Sequence, residues 1–146
     1  MDIDPDIDLR EAPDPPPPVD AALLGAISLG GGLGALARYG VGLLLPTPPD
    51  RFPWGTFAIN VVGCFLIGVL MVLVTDVWSA HRLARPFLGV GILGGFTTFS
   101  TYAVEVHRLL HPGTVGVAFA YLAGTVVGAL AAVTAGVRLT RAVVGR

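Results

Sequence analysis

The fold of this chain turns on 90-VGILGGFTTFSTYAVEV-106. The stretch is apolar enough for a membrane helix, yet Gly94-Gly95 followed by Thr97-Thr98 is poor material for an unbroken one, and Glu105 is a charge that hydrocarbon disfavours. Two adjacent glycines cost a helix roughly 1 kcal/mol each relative to alanine. A break at mid-membrane also leaves carbonyls and amides unpaired, which is tolerated at that depth only where the backbone is buried in protein or lines a cavity or ion site. Freed carbonyls are hard oxygen ligands for a small cation, and freed helix ends carry partial charge. A bound ion or a close partner would account for the weak point; a flexible kink without a ligand is the alternative.

The rest of the chain sets this stretch in a membrane. Of 146 residues, 53% are hydrophobic and 13% charged, and the mean hydropathy is +0.75, outside the range of a soluble domain. Four segments reach the roughly 20 apolar residues that a crossing helix needs. They run over about 21–45, interrupted by Arg38; 54–75, without charge; 86–110, with Glu105; and 114–139, uncharged up to Arg138. The connections at 46–53 (PTPPDRFP), 75–85 (TDVWSAHRLAR) and 111–113 (HPG) are short and rich in helix breakers. The expected fold is all-α and integral to the membrane, with residues 21–146 forming four transmembrane helices, the third broken at mid-membrane.

Residues 1–20 differ in kind, holding seven of the ten acidic residues and six of the twelve prolines. Such a tail buries too little to order itself and reads as disordered or polyproline-like. It is acidic where a cleavable signal is basic, so it is not read as one. All nine basic residues are arginine. Arg10, Arg82, Arg85, Arg138, Arg141 and Arg146 fall on the side of the termini; Arg51 and Arg108 fall on the other, with Arg38 near that end. This bias favours termini in the cytoplasm.

Gly30, Gly31, Gly32, Gly34, Gly63, Gly68, Gly124 and Gly128 line the spans, and small residues let helices approach closely in lipid. They read as packing surface for a bundle or dimer, and four helices are few for a pore, which points to an oligomer. Cys64 reads as a small buried hydrophobe. His81, His107 and His111 lack metal-ligand spacing and read as interfacial. With no nucleophile–base arrangement, phosphate loop or metal cluster, neither an enzyme nor a nucleic-acid partner is expected.

Polar residues inside the spans form a set. Thr56 and Asn60 are four apart, as are Tyr121 and Thr125 with Ala129 completing their row, while Thr97, Thr98, Ser100, Thr101, Tyr102 and Glu105 follow the double glycine. Singly, each reads as a hydroxyl bonded to its own helix or an amide joining two helices. Together, three spans offer donors that could replace the hydration shell of a small ion, with little fixed charge among them.

The runs GGGLGALARY at 30–39, WGTFAINVVGCFLIG at 54–68 and GGFTTFSTYAVE at 94–105 resemble the signatures of the Fluc (CrcB) fluoride-channel family, in order and across all four spans. The resemblance implies a fluoride-selective channel in a prokaryotic inner (plasma) membrane that lets fluoride leave the cytoplasm passively. It implies a dual-topology dimer of antiparallel subunits embedded in lipid, either a homodimer or a heterodimer with a related chain. A structural sodium ion (Na+) at its centre would be held by the Gly94 and Thr97 carbonyls of both subunits. By match to the motif, Asn60 lines the fluoride pathway with Thr56 one turn before it, and Phe99 is the first of two rings whose edges face the ion. Tyr121 and Thr125 form a hydroxyl track, Glu105 is the acid of the third span, and Arg38 the basic residue ending the first. Ring edges are positive, and conduction needs sites weak enough to release the ion. Three positions depart from the pattern: Tyr102 stands at the second ring site, Thr125 replaces a serine, and Ala129 lacks a hydroxyl. A non-conducting or specialised subunit of a heterodimeric channel is a second reading. A small four-helix drug exporter is a third, although its expected carboxylate in the first span is absent.

Overall fold

The structure, a computed structural model, describes residues 20–77 and 82–145. The acidic proline-rich tail (1–19, with Arg10), His81 and Arg146 lie outside the described residues. Among the described residues there is helix and no strand. Four helical spans are long and apolar enough to cross a membrane: Ala21–Leu44, Trp54–Asp76, Pro86–Leu109 and Val115–Val144. The fourth continues past the expected end at Leu139, carrying Arg138 and Arg141 on helix. It stops at Gly145, whose φ of 79° closes the last turn with an N–H bond to the Arg141 carbonyl.

The first span begins where Asp20 accepts hydrogen bonds from the Ala22 and Leu23 amides at 3.0 and 3.2 Å, which satisfies two of the unpaired donors at a helix start. Its other oxygen holds Arg82 at 2.6 Å. The Leu23 amide bond and, after it, the Arg82 guanidinium hold the Asp20 carboxyl below the usual carboxylate range.

The third span is made of unlike pieces. Pro86–Leu93 has the wide π-helical turn, and the Gly94 N–H still reaches the Gly89 carbonyl five residues back. One α turn, Gly94–Phe96, follows. Thr97 then leaves helical geometry, at φ −75° and ψ 158°, and α-helix resumes at Ser100–Leu109.

Missing side chains decide the packing. The first span lies on the Pro86–Phe96 half of the third because a Cβ on Gly30 would come within 2.5 Å of the Phe87 carbonyl oxygen, and one on Gly34 would collide with that of Ile92. Gly91 and Gly95, from the facing helix, press on Gly30 and Gly31 in return. The second span lies along the fourth in the same manner, with Gly68 against the Val133 carbonyl and Gly136 against that of Phe65. Not every glycine in the expected set packs inside: Gly32 and Gly124 face open space. The buried apolar core is small, centred on Tyr102, Val106, Leu109, Ala118 and Tyr121. Leu29, Leu36, Val127 and Leu130 point outward, each more than half exposed.

Gly34→Val should lower thermal stability by about 1–3 kcal/mol, because the obstacle is backbone that cannot swing aside, whereas Gly32→Ala should be near neutral; thermal unfolding in detergent checks both. The Asp20 cap stabilises the folded chain above the ordinary carboxylate range and is lost as pH falls through its lowered value. The protection of the Ala22 and Leu23 amides, measured as exchange relative to the unstructured rate at the same pH, should therefore fall on acidification, and Asp20→Asn should blunt that response.

Candidate functional site

The interruption at Thr97–Thr98 is held open by two side chains from other spans. In a continuous helix the Thr98 amide would bond to the Gly94 carbonyl. Here it donates to Asn60 Oδ1 at 2.9 Å, while Asn60 Nδ2 donates to the Thr98 carbonyl at 2.9 Å. One amide side chain thus replaces two lost helical bonds. The Thr97 carbonyl has likewise lost its helical donor, because the Thr101 amide turns to Thr98 Oγ1 at 3.2 Å. Arg38 Nη1 takes that place, donating to the Thr97 carbonyl at 3.0 Å. Thr98 Oγ1 also donates to Thr101 Oγ1 at 3.1 Å and lies 3.3 Å from Ser100 Oγ.

One turn further on, three spans meet at Glu105. Its Oε1 accepts from Thr56 Oγ1 at 3.0 Å and its Oε2 from Tyr121 Oη at 2.7 Å. A carboxylate so far inside an apolar bundle needs such donors. Tyr121 is fully buried, with the Phe52 ring against it at 5.2 Å and the Tyr102 ring at 5.1 Å.

Two grooves share Thr98 as a wall. One, of about 400 Å³, is lined by Arg38, Thr56, Thr101 and Glu105. The other, of about 470 Å³, is lined by Asn60, Phe99, Tyr102, Thr125 and Gly94 on a mostly apolar surface. In this second groove Phe99 is 79% exposed, so its ring is free to meet a partner or an ion. Thr125 is 6% exposed, and its hydroxyl is buried without a hydrogen-bond partner. Cys64, expected to be a buried hydrophobe, is half-buried and lines this groove with Ala129.

The structure therefore brings all the candidate residues to one region but not onto one track. Tyr121 and Thr125 share a helix face, yet Tyr121 is committed to Glu105 while Thr125 lies by the second groove. Gly94 and Thr97 sit at the interruption, Gly94 exposed and Thr97 partly so. Thr98 was seen only as one member of a polar cluster, although it joins both grooves. A third hollow of about 330 Å³ reaches Glu105 from the loop side, past Asp50, Arg51 and Arg108. His111, beside that loop, holds Asp50 at 3.0 Å. Sequence spacing carries no sign of either contact, since Asp50 and His111 lie on different connections.

Residues 25–137 match the family described as CrcB-like protein, Camphor Resistance (CrcB). The fluoride-specific ion channel FluC 2 of Nocardia farcinica (strain IFM 10152) is 62% identical over 130 residues, 89% of this chain and 93% of that protein. FluC 1 of Streptomyces coelicolor, also named a fluoride-specific ion channel, is 55% identical over 113 residues, 77% of this chain and 73% of its own length. FluC of Novosphingobium aromaticivorans is 44% identical over 120 residues, 80% of this chain and 94% of that one.

Asn60→Leu keeps much of the volume and strips the Thr98 amide and carbonyl of their partners. Each orphaned group costs about 1–3 kcal/mol, so the variant should show a clearly lower thermal midpoint and faster amide exchange at Thr98. Asn60→Gln, with its amide one methylene displaced, should recover only part of the loss.

Proposed function

The chain belongs to the CrcB-like family, and from that premise we propose that it forms a fluoride-selective channel through which fluoride leaves the cytoplasm passively. The family is one of ion channels rather than enzymes, and the chain is a multi-pass membrane protein of a prokaryote. The observation that carries the fluoride reading is the second groove. It joins the buried, unpartnered Thr125 hydroxyl, the Asn60 amide and the exposed Phe99 ring, with no fixed charge among the residues that line it. An unpaired buried hydroxyl is costly, and a small, strongly hydrated anion gains most from donors that replace its water. Ring edges and hydroxyls attract an anion more weakly than an arginine would, so the ion can leave. Thr56, Glu105 and Tyr121 would form an inner station next to Arg38, beyond the hollow by Arg51 and Arg108.

The same reading places the interruption at mid-membrane in a dual-topology dimer, in which a second, antiparallel copy covers Gly94, Thr97 and Phe99. Exposure of all or part of these three residues supports that face as the contact. Two carbonyls there suit a structural sodium ion. That of Gly94 has lost its helical donor to Asn60, and that of Thr97 carries Arg38 on one lone pair and keeps the other. When bound, the ion would neutralise carbonyl dipoles of both copies and join them; Arg38 and Asn60 keep those carbonyls out of helical pairing. The arginine bias towards the side of the termini favours one orientation of this chain, with its termini in the cytoplasm, which suits pairing with an inverted, related chain better than pairing with an inverted copy; the inner (plasma) membrane is the location that the same reading implies. A specialised subunit of a heterodimer is the second reading. Its support is the Tyr102 hydroxyl at the second ring site and the existence of relatives named FluC 2 and FluC 3 in one organism, Streptomyces avermitilis. The drug-exporter reading has no observation in its favour.

Purified protein in liposomes should release fluoride rapidly and chloride negligibly, and Asn60→Ala and Phe99→Ile should each cut fluoride release by about tenfold or more, the scale of losing 1.4 kcal/mol at the barrier. Chloride release at a comparable rate would sink the selectivity. A chain silent alone but active with a related chain would favour the heterodimer.

A further inference from the structure

Tyr102 stands on the first turn after the interruption, nine-tenths buried, with a hydroxyl that a ring-edge site does not need. A phenol turned into the groove would be a far stronger anion ligand than a ring edge, or would present its oxygen lone pairs to the ion. It does neither. Tyr102 Oη donates to the carbonyl of Leu122 at 3.0 Å, a residue inside the fourth helix and next in the chain to Tyr121. A helical carbonyl has a second lone pair available, so the bond need not cost the helix its own.

The bond also locks the ring. Tyr102 meets Tyr121 at 5.1 Å and 62°, an edge-to-face contact, and Phe99 at 5.8 Å and a tilt of 49°. Tyr121 in turn gives its hydroxyl to Glu105, which also holds Thr56. An unbroken line of contacts thus runs from the exposed Phe99 ring, through Tyr102 and Tyr121, to the carboxylate where three spans meet. We propose that Tyr102 is a positioning residue: its hydroxyl, tied to the Leu122 carbonyl, withdraws a donor from the groove and clamps Tyr121 so that the phenol of Tyr121 stays on Glu105. The clamp belongs to this chain's own side chain, since a phenylalanine at 102 would keep the ring contact but lose the tether.

The chain has three tyrosines, and Tyr39 is two-thirds exposed and far from the tether in the sequence. Tyrosine labelled with 13C at the ring carbon bearing the hydroxyl therefore gives three resonances, with Tyr39 as internal reference. In wild-type protein in nanodiscs, the Tyr102 hydroxyl should exchange slowly and give two resolved lines in a mixture of H2O and D2O; a single averaged line would overturn the tether without any variant. In Tyr102→Phe the Tyr121 line should shift or broaden while Tyr39 stays in place, and an unmoved Tyr121 line would overturn the clamp. Movement of the Tyr102 line on adding fluoride, and not chloride, would also count against it by making the phenol an ion ligand. The flux measurement alone rests on the fluoride reading: Tyr102→Phe should slow fluoride release by about threefold or more, and the double variant with Tyr121→Phe should be no slower than Tyr121→Phe alone, the non-additivity of two groups acting as one. Multiplicative losses would overturn the coupling. If the resonances behave as expected but no form releases fluoride, the clamp stands and the fluoride reading falls.

Discussion

Everything at the centre of this molecule depends on a pair of hydrogen bonds between one side-chain amide, Asn60, and the amide and carbonyl of Thr98. In hydrocarbon a chain cannot leave helical pairing unless something else accepts and donates in its place. Asparagine is suited to this because its amide carries a donor and an acceptor side by side, the same pair that a peptide group offers. With that substitution made, the third span can turn at Thr97 and Thr98, the carbonyls of Gly94 and Thr97 are released from their helical donors, and Phe99 is carried to the surface.

The glycine contacts serve this centre. First span on third and second on fourth give two tight pairs, and Gly63 against the Thr97 methyl joins them at the level of the interruption. Backbone packed on backbone leaves little room for sliding, which fixes where Arg38 and Asn60 arrive relative to the two threonines. The polar ends are held separately. Arg82 on Asp20, Arg141 near Asp76 and the Arg85 bond to the Val74 carbonyl tie together one end of the bundle.

The four spans were legible because length and hydropathy alone decide them, and the helix ends follow from Asp20, Pro53 and Pro86. The weak point was legible too, because Gly94-Gly95 and Thr97-Thr98 are local. What filled it was not, because Asn60 and Thr98 are 38 residues apart, Arg38 and Thr97 are 59 apart, and no local periodicity encodes either contact. The face shared by Tyr121 and Thr125 was legible as helix geometry, but the partner of Tyr121 was not, since Glu105 comes from another span. The packing roles of Gly91, Gly95 and Gly136 were missed, and Gly32 and Gly124 were counted as packing, because composition tells how many small residues a span has and not which way each one faces.

The wide turns over Pro86–Leu93 have a consequence for register. Each residue of an α-helix advances the azimuth by about 100°, so a π turn, which fits an extra residue into the same climb, acts as a vernier between sequence and direction. The stripe formed by Gly91 and Gly95 meets the first helix because that offset has been spent before Gly94. Let this stretch wind into ordinary α-helix with no residue removed, and every later side chain of the span would swing around the axis, taking Thr98 away from the asparagine that completes it.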